Sequence, residues 1–283
     1  MANLRIGIKL SQHATIDELK RVWRIADEAG FDHVWNMDHF ATINGPDDGD
    51  IFEAWTELAG MAALTTRVRV GCSVTGNTYR HPGELAKMAV TVDHLSGGRL
   101  EFGIGAAWAE NEHTMFGLPF GTAADRADRL EEALKIITSL WTQPRTTFAG
   151  KHYQLQDAVA EPKPVQTPYP PIWIGGVGRK RTLRMAAEYA AVWNAPGGEP
   201  AALAELSEVL DRHCADVGRD PASIRRSVQI RTSDDSDELL RRVEEFATLG
   251  VSDPILVLTG ENPVARAETA AELLPRLREI DVA

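Results

Sequence analysis

What most constrains the fold of this chain is a rhythm. Short apolar runs alternate with stretches whose apolar residues recur at helical spacing, eight times over. The runs are Leu4 to Leu10, His33 to Asn36, Val68 to Val74, Leu100 to Ile104, Ile172 to Ile174, Ala191 to Asn194, Ile224 to Ile230 and Pro254 to Leu258. Ile16, Leu19, Trp23 and Ala26 show the helical period behind a Thr15–Glu18 capping box, as do Leu130, Ala133, Leu134, Ile137 and Leu140 further on. Alternating strands and helices imply a parallel sheet, and eight such units close into a (β/α)8 TIM barrel. A doubly wound open sheet is the rival. The 283 residues suit a barrel built as one domain, 1–283.

The rhythm breaks once, between strand four with its helix and strand five. Residues 142–171 are proline-rich and lack a helical period. Thr146-Thr147-Phe148 and His152-Tyr153-Gln154-Leu155 flank Gly150 and predict a small hairpin. An insertion of this length is either a lid or contact surface, or a surface excursion.

A formal net charge of -11 disfavours nucleic acid and anionic membranes as partners and leaves a small-molecule substrate. The two cysteines, Cys72 and Cys214, have no metal-type spacing and imply no disulfide framework, so no metal is expected and the cytoplasm is the expected compartment. No apolar run is long enough to span a bilayer.

Barrels of this kind place their chemistry at the C-terminal ends of the strands. Those positions hold Ser11-Gln12-His13, Met37-Asp38-His39, Val74-Thr75-Gly76-Asn77, Gly105-Ala106-Ala107-Trp108 with Asn111 and His113, Gly175-Gly176-Val177-Gly178, Asn194, Arg231 and Thr259. Strand one lacks the paired histidines of amidohydrolase-type metal sites, and only Asp38 with Glu110 or Glu112 offers the carboxylates a glycosidase needs. None of Tyr79, Tyr153, Tyr169 and Tyr189 sits where an aldo-keto reductase acid would. Asp38-His39 suits proton transfer, since imidazole ordinarily titrates at roughly 6.5. On this reading Asp38 favours the charged imidazole. His13 and His113 read as pocket-wall or surface residues, and His33, His81, His94, His152 and His213 as structural or merely exposed. Gly175 to Gly178 precede a helix beside Arg179, Lys180, Arg181 and Arg184. Such a cluster is either a tight turn or a phosphate cradle of open amides. A bulky residue at Gly176 is expected to weaken cofactor binding and leave the fold intact. Trp108 either packs over the mouth or walls a flat cofactor or apolar substrate.

Four runs, in order, resemble the luciferase-like monooxygenase superfamily, in its coenzyme F420-dependent branch. They are Gly30 to Trp35 with Asp38-His39-Phe40, Val70 to Pro82, Asp93 to Leu100 with Gly103-Ile104-Gly105, and Pro170 to Gly176. The resemblance implies a deazaflavin-dependent oxidoreductase with His39 as proton donor or acceptor and Asp38 beside it. It implies a cofactor held by Asp38, Ser73, Val74, Thr75, Asn77, Ala106, Trp108, Asn111, Gly175, Gly176, Val177 and Gly178. It also implies a non-proline cis peptide at Ser73–Val74 and a homodimer. An FMN-dependent, oxygen-using monooxygenase is the alternative. The sugar-phosphate dehydrogenases of this family carry a Glu where this chain has Trp108, so an apolar substrate is expected instead.

Overall fold

The computed structural model describes residues 4–10, 14–43, 49–260 and 262–283. In chain order the strands and helices are β1 (Gly7–Leu10), α1 (Ile16–Ala29), β2 (His33–Asn36), α2 (Ala54–Leu64), β3 (Arg69–Cys72), β4 (Thr75–Gly76), α3 (Pro82–Leu95), β5 (Leu100–Gly105), α4 (Glu110–Met115), α5 (Ala123–Thr142), β6 (Thr146–Ala149), β7 (Gln154–Ala158), β8 (Ile172–Gly175), α6 (Thr182–Tyr189), β9 (Val192–Ala195), α7 (Pro200–Val217), β10 (Arg225–Arg231), α8 (Ser236–Ala247), β11 (Ile255–Leu258) and α9 (Pro263–Leu277). The parallel order is β3-β2-β1-β11-β10-β9-β8-β5, and β3 pairs back onto β5, which closes the expected eight-stranded barrel. The two-residue strand β4 resumes the line of β3 beyond the Ser73–Val74 peptide, which is cis as expected, and pairs with the end of β5.

Side chains alternate between the two faces of each strand. Ile8, Val34, Val70, Phe102, Ile104, Ile174 and Leu256 join the helices in one continuous core. The other face points into the barrel. There Trp35, Trp173, Val192 and Ile255 form a separate buried cluster. Beneath it, at the N-terminal ends of the strands, Glu101 binds Arg5, Arg69 and the Trp173 indole, while Asp253 binds Arg5 and Arg225. Above it lie the polar side chains of Lys9, Asn194 and Gln229.

Helix termini follow the sequence closely. The Thr15–Glu18 capping box starts α1, and Gly30 ends it in the left-handed region at φ 103. On the last turn of α1, Asp27 accepts hydrogen bonds from the backbone N–H groups of Thr66, Arg67 and Val68 at 2.7–2.9 Å and so fixes the turn into β3. Partial burial would raise this carboxyl, but the backbone bonds outweigh it and bring it down to about 2. A depressed carboxylate stabilises the fold above its unfolded pKa, and that contribution fades as pH falls through the folded value. Asp27→Ala is therefore expected to cost about 2 kcal/mol near neutrality. Thermal melts should show the gap to wild type closing between about pH 4 and pH 2. A gap independent of pH would show that the carboxylate charge is not what matters.

The expected hairpin is present as antiparallel β6 and β7. Glu132 of α5 caps its turn through the backbone N–H groups of Lys151, His152 and Tyr153. The chain then descends to the N-terminal end of the barrel, where Gln166 bridges Arg69 and Asp93. No residue of 142–171 lines the cleft described next.

Candidate active site

A cleft of about 420 Å³ opens at the C-terminal mouth. It is walled by Asp38 and His39 after β2, by Ser73 to Gly76, by Gly105 to Trp108 after β5, and by Gly175 and Gly176 after β8. The expected mouth residues thus converge because parallel strands deliver all their C-terminal ends to one rim. Ser11, Gln12 and His13 lie outside the described residues.

His39 is held by a partner the sequence reading did not assign. Its Nδ1 lies 2.9 Å from Glu112 Oε2 and 3.1 Å from Oε1. Glu112 also accepts from the backbone N–H of Phe40 (2.9 Å) and Ala41 (3.0 Å) and from the Tyr79 hydroxyl. Burial pushes this carboxyl up, but the bonds from His39, Tyr79 and Ala41 outweigh it and hold it below the usual range. A carboxylate at Nδ1 requires the proton on that nitrogen. Nε2 is then the ring nitrogen left for the cleft. Glu112 comes from α4, a short helix not anticipated from the sequence. The one signal was the acidic run Glu110-Asn111-Glu112 next to a strand end.

Asp38 has a different partner from the one expected. Arg80 donates to it twice, at 2.7 and 2.9 Å, and the Gly76 N–H at 3.0 Å. Burial raises the Asp38 carboxyl while Arg80 and Gly76 oppose the rise. The carboxylate that faces the imidazole is Glu112, and Asp38 instead pins the β4 segment.

The wall across the cleft is built on close approach. Val74 packs against Gly175, where an added Cβ would lie 2.6 Å from Val74 Cγ2. Thr75 is buried and accepts from the Trp55 indole at 3.2 Å. Trp108 is 65% exposed, and its ring meets the His39 ring edge-on at 5.6 Å. Ala106 lines the cleft, whereas Asn77 is buried behind it and Asn111 is exposed on α4.

The glycine run after β8 leaves the backbone N–H groups of Val177, Gly178 and Arg179 without partners among the described residues. No side chain caps α6. The neighbouring arginines are engaged elsewhere: Arg179 pairs with Glu205, Arg181 with Asp128 and Glu131, and Arg184 with Glu188. Any anion here would meet amides rather than guanidinium groups. Gly176 has φ +125, and its N–H and carbonyl are tied to the Asn194 carbonyl and the Trp193 indole. Gly176→Val is thus expected to lower stability as well as binding, by about 1–3 kcal/mol of backbone strain. Val177→Glu tests the cradle alone, since Val177 is exposed and its φ is ordinary. It should weaken an anionic cofactor about tenfold or more by like-charge repulsion, with an unchanged melting temperature. Equal affinity would remove the cradle.

Around one mouth the closed barrel thus gathers a His–Glu pair, the Ser73–Val74 peptide and an open glycine turn. The luciferase-like monooxygenase family model matches residues 2–280, and the chain belongs to that family. It is 33% identical over 280 residues to the F420-dependent glucose-6-phosphate dehydrogenase of Microbacterium testaceum (strain StLB037), covering 93% of this chain and 82% of that one. It is 29% identical over 164 residues to the FMNH(2)-dependent dimethylsulfone monooxygenase of Pseudomonas putida, covering 58% of this chain and 44% of that one. A solved F420-dependent secondary alcohol dehydrogenase, in complex with an F420–acetone adduct, superposes with TM-score 0.88 at 21% identity, over 97% of this chain and 99% of that one. Among the described residues no helix is long and apolar enough to cross a membrane.

Proposed function

We propose that this chain is a coenzyme F420-dependent oxidoreductase that moves hydride between the cofactor and a small, apolar organic substrate. The observation that carries this reading is the His39–Glu112 pair opening into a cleft whose wall includes Gly76, Gly105, Gly175 and Gly176. The F420-dependent relative at 33% identity supports it.

The residues fit such a group. Ser73, Val74, Thr75 and Gly175 would wall a flat ring, and the open amides of Val177 and Gly178 would take its phosphate-bearing tail. The bound deazaflavin supplies hydride transfer. The chain does the rest. Trp108 offers an apolar face to the substrate beside His39 and, with the closely packed wall, excludes water. His39 exchanges a proton at Nε2, where a carbonyl or conjugated acceptor needs one to balance the arriving hydride. Glu112 keeps Nδ1 protonated and the ring aimed. Arg80 and Asp38 hold the β4 wall in place.

Mass spectrometry of the cofactor retained after purification from a deazaflavin-producing host tests the reading, together with titrations of coenzyme F420 and FMN. Retention and tighter binding of the deazaflavin are expected. Preference for FMN would move the chain to the oxygen-using reading, which the dimethylsulfone monooxygenase relative favours. The proposal includes a homodimer, checked by light scattering; exposed Leu95, Val159 and Val165 supply apolar surface away from the cleft.

A further inference from the structure

The barrel interior holds a charge that the proposed chemistry leaves unused. Lys9 faces inward from β1, is 6% exposed, and lines the cleft floor. Its Nζ donates to the Ser73 carbonyl at 2.9 Å and to the Gln229 side-chain oxygen at 2.9 Å. Both acceptors are neutral. An ammonium carries three N–H donors, so one is left over. No carboxylate among the described residues lies within ion-pairing distance of it, and Asp38 in the same cleft is already bound by Arg80. The Gln229 amide is fixed with its oxygen towards Lys9, because its nitrogen lies 3.3 Å from Ser73 Oγ and 3.2 Å from Asn194 Oδ1. Asn194 in turn donates to Ser227 Oγ at 2.8 Å. This network sets the position of the ammonium and supplies no compensating charge. Burying an unpaired cation is costly, and the cost is recovered where a bound group completes it.

We infer that Lys9 is an electrostatic anchor on the cleft floor, selecting a bound ring that presents negatively charged or carbonyl oxygen to it. The inference rests on the reading that the cleft holds a flat redox cofactor. Burial pushes the amine down to about 8. The anchor is therefore charged below about pH 8 and lost above it. The surrounding groups do not titrate in the same way. The register neighbours of Lys9 are Trp35 on β2 and Val257 on β11, and β10 faces it with the neutral Gln229. On β3 the Cys72 thiol is pushed well up by burial, and Asp38 after β2 is bound by Arg80.

The test measures dissociation constants of coenzyme F420 and of FMN from pH 6 to 10, with melting temperatures alongside. Wild type should bind steadily up to about pH 8 and lose about tenfold in affinity over the next one to two units. Lys9→Met should bind about tenfold more weakly at pH 7 and show no break near 8. Gln229→Glu keeps the side-chain shape and places a carboxylate beside the ammonium. It should weaken binding at pH 7 and move the break upward, and it decides the matter if Lys9→Met does not fold. An ionisation of the ligand itself would appear in every variant. Wild-type affinity and an unmoved break in the variants would overturn the anchor while leaving the cofactor reading intact. Binding of neither molecule by wild type would remove that reading and the anchor with it.

Discussion

His39→Ala is expected to lower turnover on a confirmed substrate by about 10²–10⁴-fold, the usual worth of a positioned acid or base. Cofactor affinity should stay within a few-fold, because the ring wall is built from Ser73 to Gly76 and Gly175 rather than from the imidazole. In the direction that delivers hydride to an acceptor, His39 must begin as the imidazolium, so the alkaline limb of the pH–rate profile should disappear with the side chain. Glu112→Gln separates chemistry from positioning. It removes the anionic acceptor at Nδ1 but keeps the shape, and its amide can present a donor that favours the opposite tautomer. A fall in turnover of about tenfold or more is expected, with KM little changed. The backbone bonds from Phe40 and Ala41 to the Glu112 oxygen should keep the α4 loop in place. Full turnover by both variants would take this pair out of the mechanism. A fall in cofactor affinity with an unaltered pH profile would make His39 a binding residue.

The second large effect lies at the opposite end of the barrel and concerns stability alone. Glu101 is buried and accepts from Arg5, Arg69 and the Trp173 indole. Glu101→Ala would leave two guanidinium groups and an indole N–H facing a gap. Breaking a buried ionic cluster by deleting one partner typically costs about 3–5 kcal/mol. For a chain of this size that is a fall of roughly 10 °C in Tm. Cofactor affinity and the pH–rate profile measured well below Tm should match the wild type, because the tryptophan cluster of Trp35 and Trp173 separates Glu101 from the cleft. A loss of affinity at 20 °C without a change in Tm would contradict this division between a stabilising end and a catalytic end.

The barrel was legible because its signal is local. Strand alternation, the Thr15–Glu18 cap, Gly30 and the hairpin around Gly150 each depend on neighbours within a few residues. The mouth was legible too, since parallel strands bring every C-terminal end to one rim, so Asp38, Thr75, Ala106 and Gly176 meet without any knowledge of packing. The cis peptide at Ser73–Val74 was foreseeable only through resemblance to a family.

Partnership was not legible. Glu112 reaches His39 across 73 positions of sequence, and Arg80 takes Asp38 across 42, so which carboxylate serves the imidazole is decided only when the loops after β2, β4 and β5 pack together. The basic run Arg179 to Arg184 lies beside the glycine turn in one dimension and favoured the cradle over a bare tight turn, yet acids on α5, α6 and α7 pair with its arginines. Lys9 alternates with Ile8 and Leu10 in a strand pattern that says only that it faces the other way. That this other face is a buried floor where no carboxylate pairs with Lys9 among the described residues follows from barrel closure, because closure brings Ser73 and Gln229 to its ammonium from positions 64 and 220 residues away. Sequence periodicity fixes which face a side chain takes; the charge it meets there depends on distant strands, and only the closed barrel sets those distances.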